Sequence, residues 1–366
     1  MSTPHRPLIL HTEASLGFGG QEIRILTEAR WLREHGWDAL IACQPTSRLL
    51  AEAQAAGVPA IEVRMRGALD ARAFLVLRRL LRTRRVDVVH THSSIDSWLA
   101  TVAARSRRLP VVRSRHVSIP ILRHRALIYR LADRVITTGE AIQHIVAAAG
   151  VPADKIVSIP AGVDTTRFHP GVSGKAVRDE LGVDASQKLI GLVANIRGSK
   201  GHRYFLEAAV IVLRAFRDAR FVIVGDGVGF DDVQHRVRDM NLEPDVIMTG
   251  FRRDIPEVMA ALDVLVLPST RSEATSQVIP QALAVGTPVV ATAVGGIPEI
   301  VRHGETGRLV PPGNAAALAD AILALLRDPV GARALGQAGQ ALIRARYTVD
   351  AMMTQTTALY RTLLSP

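Results

Sequence analysis

Residues 7–35, PLILHTEASLGFGGQEIRILTEARWLREH, decide the fold. Pro7 to Thr12 is a short apolar run that predicts a strand, and Leu16-Gly17-Phe18-Gly19-Gly20 is a glycine-rich turn. Gln21 to His35 spaces Ile23, Leu26, Ala29, Trp31 and Leu32 roughly on one helical face. Outward from this unit the same grammar recurs. Asp38 to Cys43 predicts a strand, Ser47 to Ala56 a helix, Ala60 to Val63 a strand, Asp70 to Arg84 a helix and Val86 to His90 a strand. Val111 to Ser114, Arg134 to Thr138 and Lys155 to Ile159 continue the pattern up to a turn-rich stretch, Pro160 to Gly171, where a domain boundary is expected. Alternation of this kind predicts a parallel sheet covered by helices on both faces.

Beyond the boundary the pattern starts afresh. Strands are expected over Leu189 to Ala194, Arg220 to Val224, Val246 to Thr249, Val264 to Leu267 and Pro288 to Thr292. Helices are expected over Tyr204 to Phe216, Phe230 to Met240, Ile255 to Ala261, Val278 to Val285, Ala315 to Leu326 and Val330 to Arg346. The last segment, Val349 to Leu363, offers Met352, Met353, Leu359 and Leu363 for packing. The reading is α/β: two doubly wound domains in series, facing a central cleft, since ligands of such sheets bind beyond the carboxyl ends of the strands.

At 366 residues and 48% apolar content the chain can supply a core to each of two domains. No run approaches the roughly 18 apolar residues of a membrane span, and Met1 to Leu10 lacks the apolar core of a secretory leader, so a cytoplasmic protein is expected. Cys43 is the single cysteine, which excludes an intramolecular disulfide, thiol-pair redox chemistry and a cysteine-rich zinc site. Charge is unevenly spread: residues 1–165 hold 23 Lys and Arg against 14 Asp and Glu, residues 166–366 hold 22 against 20. The excess lies in two runs, Arg64 to Arg85 and Arg105 to Arg134, readable as solvated faces or as a surface for an anionic membrane or acceptor. Nucleic acid is not an expected partner, since 4% aromatic residues leave few stacking platforms and no recognition-motif spacing occurs.

Five loops carry candidate chemistry or resemble ones that do. Gly17, Gly19 and Gly20 stand between strand and helix, where the backbone can approach an anion and helix N–H groups can meet it, though a plain tight turn would look similar. Gly225-Asp226-Gly227-Val228-Gly229 is a partial match to a dinucleotide pattern. In Asn195-Ile196-Arg197-Gly198-Ser199-Lys200-Gly201, two cations could neutralise a diphosphate, and a solvated Lys-Gly turn would read the same. Pro268 to Glu273, with Gln281 about two turns into the next helix, could hold sugar hydroxyls, which need acceptors as well as donors. Gly295-Gly296-Ile297-Pro298-Glu299 has the residues of simple helix capping. His90 and His92 have a chelating spacing, but with no acidic or cysteine neighbour in sequence they are expected to hydrogen-bond backbone or acceptor groups, and no metal is expected.

The run from Glu273 through Gln281, then residues 282–292, Gly295 to Val301 and Gly304 to Gly313, closely resembles family 4 retaining glycosyltransferases. Asp87 to His92, Ile159 to Phe168 and Phe221 to Gly227 resemble further segments of that family in the same order. The resemblance implies the GT-B architecture of two Rossmann-like domains. Residues 1–168 would form the acceptor-side domain, 169–346 the nucleotide-sugar domain, and 347–366 a helix crossing back to the first. It implies a reaction that needs no metal and no cofactor and retains anomeric configuration. Residue by residue it implies Lys200 and Arg197 on the diphosphate, Gly201 in the same loop, Glu273 on the donor sugar and Gln281 on the ribose. Gly19 and Gly20 would let the first helix close on phosphate, and His116 would reach the transferred sugar from the acceptor side. The chain departs from the family at Gln281 and Asn195, where Glu and Arg are usual, and at Ala274-Thr275-Ser276. The amide at Gln281 is expected to weaken donor binding without abolishing it.

The resulting expectation is a metal-independent transfer of a hexose-type unit from a nucleoside diphosphate sugar to the hydroxyl of a glycan or lipid-linked acceptor in cell-envelope synthesis. The basic first half favours an acceptor that is anionic or held at the inner membrane face. Two other classes share these features: a nucleotide-sugar 2-epimerase and a non-catalytic sugar-nucleotide-binding protein.

Overall fold

The computed structural model describes residues 5–122, 125–271, 273–274 and 276–365; Ser272 and Thr275 of the candidate loop and Arg123 of the second basic run lie outside them. In chain order the first elements are β1 (Leu8–Glu13), α1 (Gly20–Glu34), β2 (Asp38–Cys43), α2 (Arg48–Ala55), β3 (Ala60–Glu62), α3 (Ala71–Thr83) and β4 (Val88–Thr91). They continue with α4 (Ser94–Arg105), β5 (Val111–Arg115), α5 (Leu127–Leu131), β6 (Arg134–Thr137), α6 (Glu140–Ala148) and β7 (Ile156–Ser158). After these come α7 (Lys175–Glu180), β8 (Lys188–Val193), α8 (His202–Ala215), β9 (Ala219–Val224), α9 (Phe230–Asp239), β10 (Val246–Gly250), α10 (Ile255–Ala261) and β11 (Val264–Leu267). The chain ends with α11 (Val278–Val285), β12 (Val289–Thr292), α12 (Ile297–Ile300), β13 (Arg308–Val310), α13 (Ala315–Arg327), α14 (Pro329–Arg346) and α15 (Val349–Leu364).

These elements form two compact units, residues 1–162 with 349–366, and residues 163–348. The first holds a parallel sheet in the order β3-β2-β1-β4-β5-β6-β7, the second a parallel sheet in the order β10-β9-β8-β11-β12-β13. Both are doubly wound with the same inner order, so each has one point where the direction of winding reverses, between β1 and β4 in one unit and between β8 and β11 in the other. Because helices cover both faces, the inner strands are largely apolar, and in β11 Val264, Leu265, Val266 and Leu267 are all buried.

The first-half expectation left out α4, α5 and α6, and the second left out α7 and β13. Helix α4 buries Ser97, Ala100, Thr101, Ala103 and Ala104, small side chains whose weak hydrophobic contrast hides the period. Helices α5 and α7 and strand β13 are three to six residues long, too short for periodicity to register. In α1 the expected face is corrected. The buried residues are Glu22, Arg24, Ile25, Glu28, Ala29 and Leu32, whereas Ile23 is 41% exposed. Arg24 Nε donates to Glu28 Oε1 at 2.6 Å, one turn along, so the two charges enter the core as a pair.

Helix α15 belongs to the first unit. Met352, Met353 and Tyr360 are buried in its core with Ile9, Ile41, Val88 and Val112, while Leu359 and Leu363 pack at the margin. No helix among the described residues is long and apolar enough to cross a membrane.

Tyr360 is fully buried and its hydroxyl lies 2.7 Å from His90 Nδ1. Tyr360→Phe keeps the packing but strips a buried imidazole of a partner, so a loss of about 1–3 kcal/mol is expected in urea denaturation. An unchanged denaturation midpoint would show that the hydroxyl is dispensable.

Candidate functional site

In the second unit the polar side chains emerge where β8, β9, β11 and β12 leave the sheet. The loop after β8 is stitched to the loop after β9: Ile196 N–H donates to the Asp226 carbonyl at 2.8 Å, and Gly229 N–H to the Ile196 carbonyl at 3.2 Å. Gly225 has φ +140°, and a Cβ there would lie 1.9 Å from the Ala194 carbonyl oxygen. The glycine pattern that resembled part of a dinucleotide fingerprint therefore lets two loops of the protein touch.

Gly201 works in the same way against β11. Its φ is +73°, and a Cβ would stand 1.9 Å from the Pro268 carbonyl oxygen. Thr270 N–H donates to the Ser199 carbonyl at 2.9 Å, so the loop of Arg197 and Lys200 is clamped to the end of β11. Beyond that clamp, Gly296 N–H bonds the carbonyls of Glu273 and Ala274 at 3.2 and 2.9 Å, which fixes the backbone of the following loop.

Lys200 and Glu273, distant in sequence, are thereby brought together: Lys200 Nζ donates to Glu273 Oε1, which also accepts from Ser269 Oγ at 2.7 Å. Glu273 is buried and Lys200 half-buried. Arg197 is exposed and lines a cavity of about 920 Å³ together with Gly201, Arg203, Arg236 and Arg271, a lining that does not include Lys200. Gln281 is half-buried and sits one turn, not two, into α11, whose start at Val278 is the one expected. Burial, and then the nearby charge of Lys200, push His202 down to about 4.

In the first unit, β1 ends in three consecutive buried polar residues, His11, Thr12 and Glu13. Burial and the neighbouring Asp96 carboxylate push the Glu13 carboxyl up to about 8; it accepts from Ser15 N–H at 2.7 Å and from the Gln21 amide. Asp96, at the start of α4, accepts from Thr12 Oγ1 at 2.8 Å and from the His92 and Ser93 amides. In the glycine-rich turn, the Gly19 N–H donates to Glu22 Oε2 at 2.8 Å and the Gly17 N–H to Ser15 Oγ at 3.1 Å. These two amides are committed to the turn itself.

Behind β1 and β4 lies a cluster that sequence spacing missed. His11, Glu28, His90 and His92 are buried with ligand-type atoms within 4.8 Å of one another. His90 and His92 thus do have an acidic neighbour, Glu28, supplied by α1 from a distant part of the chain, and their partners are side chains rather than backbone. His90 Nε2 is 2.7 Å from Ser114 Oγ and its Nδ1 2.7 Å from the Tyr360 hydroxyl; His92 Nε2 is 3.0 Å from His11 Nδ1. His92 Nδ1 is 3.1 Å from Nε2 of His116, which is half-buried on the loop after β5. The four groups have the donor chemistry of a metal site, but both nitrogens of His90 already have hydrogen-bond partners, and Arg24 places a positive charge on Glu28. Burial lowers His11 to about 4 and holds His90, His92 and His116 well below the usual imidazole value, so all four rings are neutral near pH 7. Polar residues ending an apolar strand, and Arg24 with Glu28 at helical spacing, were the available sequence signals.

Two family models match the chain: "Glycosyltransferase Family 4" over residues 18–167 and "Glycosyl transferases group 1" over residues 187–328. The chain is 33% identical over 295 residues to a D-inositol 3-phosphate glycosyltransferase of Pseudarthrobacter chlorophenolicus, covering 74% of this chain and 69% of the relative. It is 28% identical over 278 residues to the UDP-Gal:alpha-D-GlcNAc-diphosphoundecaprenol alpha-1,3-galactosyltransferase of Escherichia coli, covering 71% and 72%. Among solved structures, Anabaena HepE in complex with UDP matches with a TM-score of 0.88 over 97% of this chain and 100% of that one, at 23% identity.

The buried titratable groups predict how stability depends on pH. The unfolded chain protonates its imidazoles near pH 6.5 while the native state keeps these four neutral, so stability is lost as pH falls below about 6.5, by up to about 1.4 kcal/mol per pH unit for each ring. Glu13 acts oppositely: its native carboxyl stays protonated up to about 8, so stability declines as pH rises from about 4.5 towards 8. Urea denaturation from pH 5 to 8.5 should show a maximum near pH 7, where the gain from the imidazoles and the loss from Glu13 balance, and Glu13→Gln should flatten the alkaline side. A flat profile would contradict the buried, neutral assignment.

Proposed function

This chain belongs to the family 4, group 1 glycosyl transferases and has their GT-B fold, and on that premise we propose that it transfers a hexose from a nucleoside diphosphate sugar to an acceptor hydroxyl with retained configuration. The observation that carries this reading is the Lys200 and Glu273 pair at the carboxyl ends of β8 and β11, where the winding of the second sheet reverses. Lys200 has three N–H donors, of which one meets Glu273, leaving two for diphosphate oxygens. Glu273 Oε1 is taken by Lys200 and Ser269, so Oε2 is left to accept from a sugar hydroxyl.

Gln281 accepts from one ribose hydroxyl and donates to another, and exposed Arg197 adds a second cation for the leaving group. Gly201 holds the phosphate-binding loop in place, while Gly19 and Gly20 allow an anionic group close to the backbone at the start of α1. The acceptor hydroxyl attacks from the side on which the diphosphate departs, with no enzymic nucleophile and no metal. His116 meets the transferred sugar or the acceptor.

UDP-hexoses are the first donors to test, since the Escherichia coli relative's name carries UDP-Gal and HepE has been solved with UDP-glucose. The acceptor is a lipid-linked or envelope glycan, in keeping with the diphosphoundecaprenol in that relative's name. The positive charge of the first unit supports a site of action at the inner membrane face. On α3 and the turn after it, Arg78, Arg79, Arg82, Arg84 and Arg85 are all exposed, and Leu75 and Val76 are exposed beside them at 59% and 48%.

A thermal-shift panel of nucleotide sugars tests donor binding, because a ligand at 100 times its Kd adds about 2.7 kcal/mol to the native state. For the donor that shifts, Lys200→Ala should lower turnover about a hundredfold, equivalent to about 3 kcal/mol, and excess EDTA should leave the wild type active. Wild-type turnover in the variant would remove Lys200 from the mechanism. Conversion of the donor to its epimer without acceptor would point to the isomerase instead.

Co-sedimentation tests the membrane surface. Each basic group near an anionic bilayer contributes about 1 kcal/mol, decaying over about 10 Å at 0.1 M salt. The wild type should sediment with anionic but not neutral vesicles at low salt, and changing the five arginines to Gln should abolish this. No sedimentation at low salt would leave α3 a solvated face.

A further inference from the structure

His116 is the outermost of three imidazoles joined end to end. Its Nε2 lies 3.1 Å from His92 Nδ1, and His92 Nε2 lies 3.0 Å from His11 Nδ1. All three rings are held neutral by burial, so each carries one N–H and one bare nitrogen. His92 can donate along only one of its two links, and the neighbour on the other side must then donate to it. The chain therefore has two arrangements and no others. Either every proton points outward, on Nδ1 of all three rings, or every proton points inward, on Nε2 of all three.

The inner end decides between them. Glu28 Oε2 is buried without a hydrogen-bond partner and lies 3.9 Å from His11 Nδ1, while Glu28 Oε1 accepts from Arg24. A proton on His11 Nδ1 sits between His92 Nε2 and that carboxylate oxygen. A proton on His11 Nε2 would be a buried donor with nothing to receive it, because that nitrogen also has no partner. Orphaned buried N–H groups are rarer and costlier than a bare acceptor nitrogen. The remaining groups around the chain do not reverse this preference. His90 Nδ1 also faces Glu28 Oε2, at 3.6 Å, and Arg113 and Arg115 direct hydrogen bonds to the Tyr129 hydroxyl.

We propose that His11 and His92 are positioning residues that lock His116 in the Nδ1–H form, so that the loop imidazole meets its ligand as a hydrogen-bond donor and not as a base. Among the described residues no group bonds His116 Nδ1, which leaves that N–H for an oxygen lone pair of a sugar. This deepens the acceptor-side role given to His116 above and rests on it: the core carboxylate of Glu28, two rings away, sets which chemistry the site can offer.

The test needs no substrate, so it stands apart from whether the protein transfers sugar. The full chain is labelled with ¹⁵N in its 12 histidines, and long-range ¹H–¹⁵N correlations at pH 7.5 report the protonated nitrogen of each ring, assigned through single His→Gln variants. The expected result is Nδ1 protonated and Nε2 bare in His11, His92 and His116 alike. An Nε2-protonated His116, or averaged shifts at both of its nitrogens, overturns the proposal. In His92→Gln the chain is severed, and His116 should lose its single form and exchange between both. Retention of a pure Nδ1–H pattern in a folded His92→Gln would show that its tautomer is set elsewhere, and the wild-type spectrum decides the matter if that variant does not fold.

Discussion

A parallel sheet covered on both faces has nowhere to put a polar side chain except where its strands run out, and that constraint organises both halves of this protein. Along β8, β9, β11 and β12 the residues are almost entirely apolar and buried, and polar groups collect in the loops after their carboxyl ends. The place where the winding reverses is where sheets of this kind receive their ligands. Lys200 and Glu273 come from those two loops in the second unit, and His11, Glu13 and His92 from the equivalent strands in the first.

The two units satisfy their polar groups differently. In the second, Lys200 keeps donors in hand while Glu273 is held by Ser269 and by a backbone tied to Gly296, an arrangement of formed but incompletely used hydrogen bonds. Such a pair is ready for a ligand with both acceptors and hydroxyls, which is the chemistry of a sugar diphosphate. In the first unit, charge is neutralised within the core by Arg24 and Glu28, and polarity is passed outward through neutral rings. A neutral donor at His116 fits the role proposed for it, in which it binds a sugar hydroxyl without taking its proton.

Loop packing sets the precision of the second site. Gly201 against Pro268 and Gly225 against Ala194 bring backbones to separations that any Cβ would prevent, so the loop after β8 is braced by two neighbours. The glycines therefore act through packing, by holding Arg197 and Lys200 on a fixed loop.

The amino-acid sequence by itself determined the alternation of strands and helices, because apolar runs of four to six residues and amphipathic helices leave their period in the chain, and several bounds, such as Val264–Leu267 and Val278–Val285, could be read to the residue. The ordered motifs from Asp87 to Gly313 were enough to point to the family. What the sequence did not contain was proximity. Small-residue helices such as α4 and very short elements such as β13 carry no periodic signal, and the buried face of α1 was misread because a charged pair, Arg24 and Glu28, occupies it. Only the tertiary structure decided that Glu28 stands beside His90, that His116 is linked through His92 to His11, and that Gly225 faces protein, since each depends on strands brought side by side by hydrogen bonding between segments far apart in the chain.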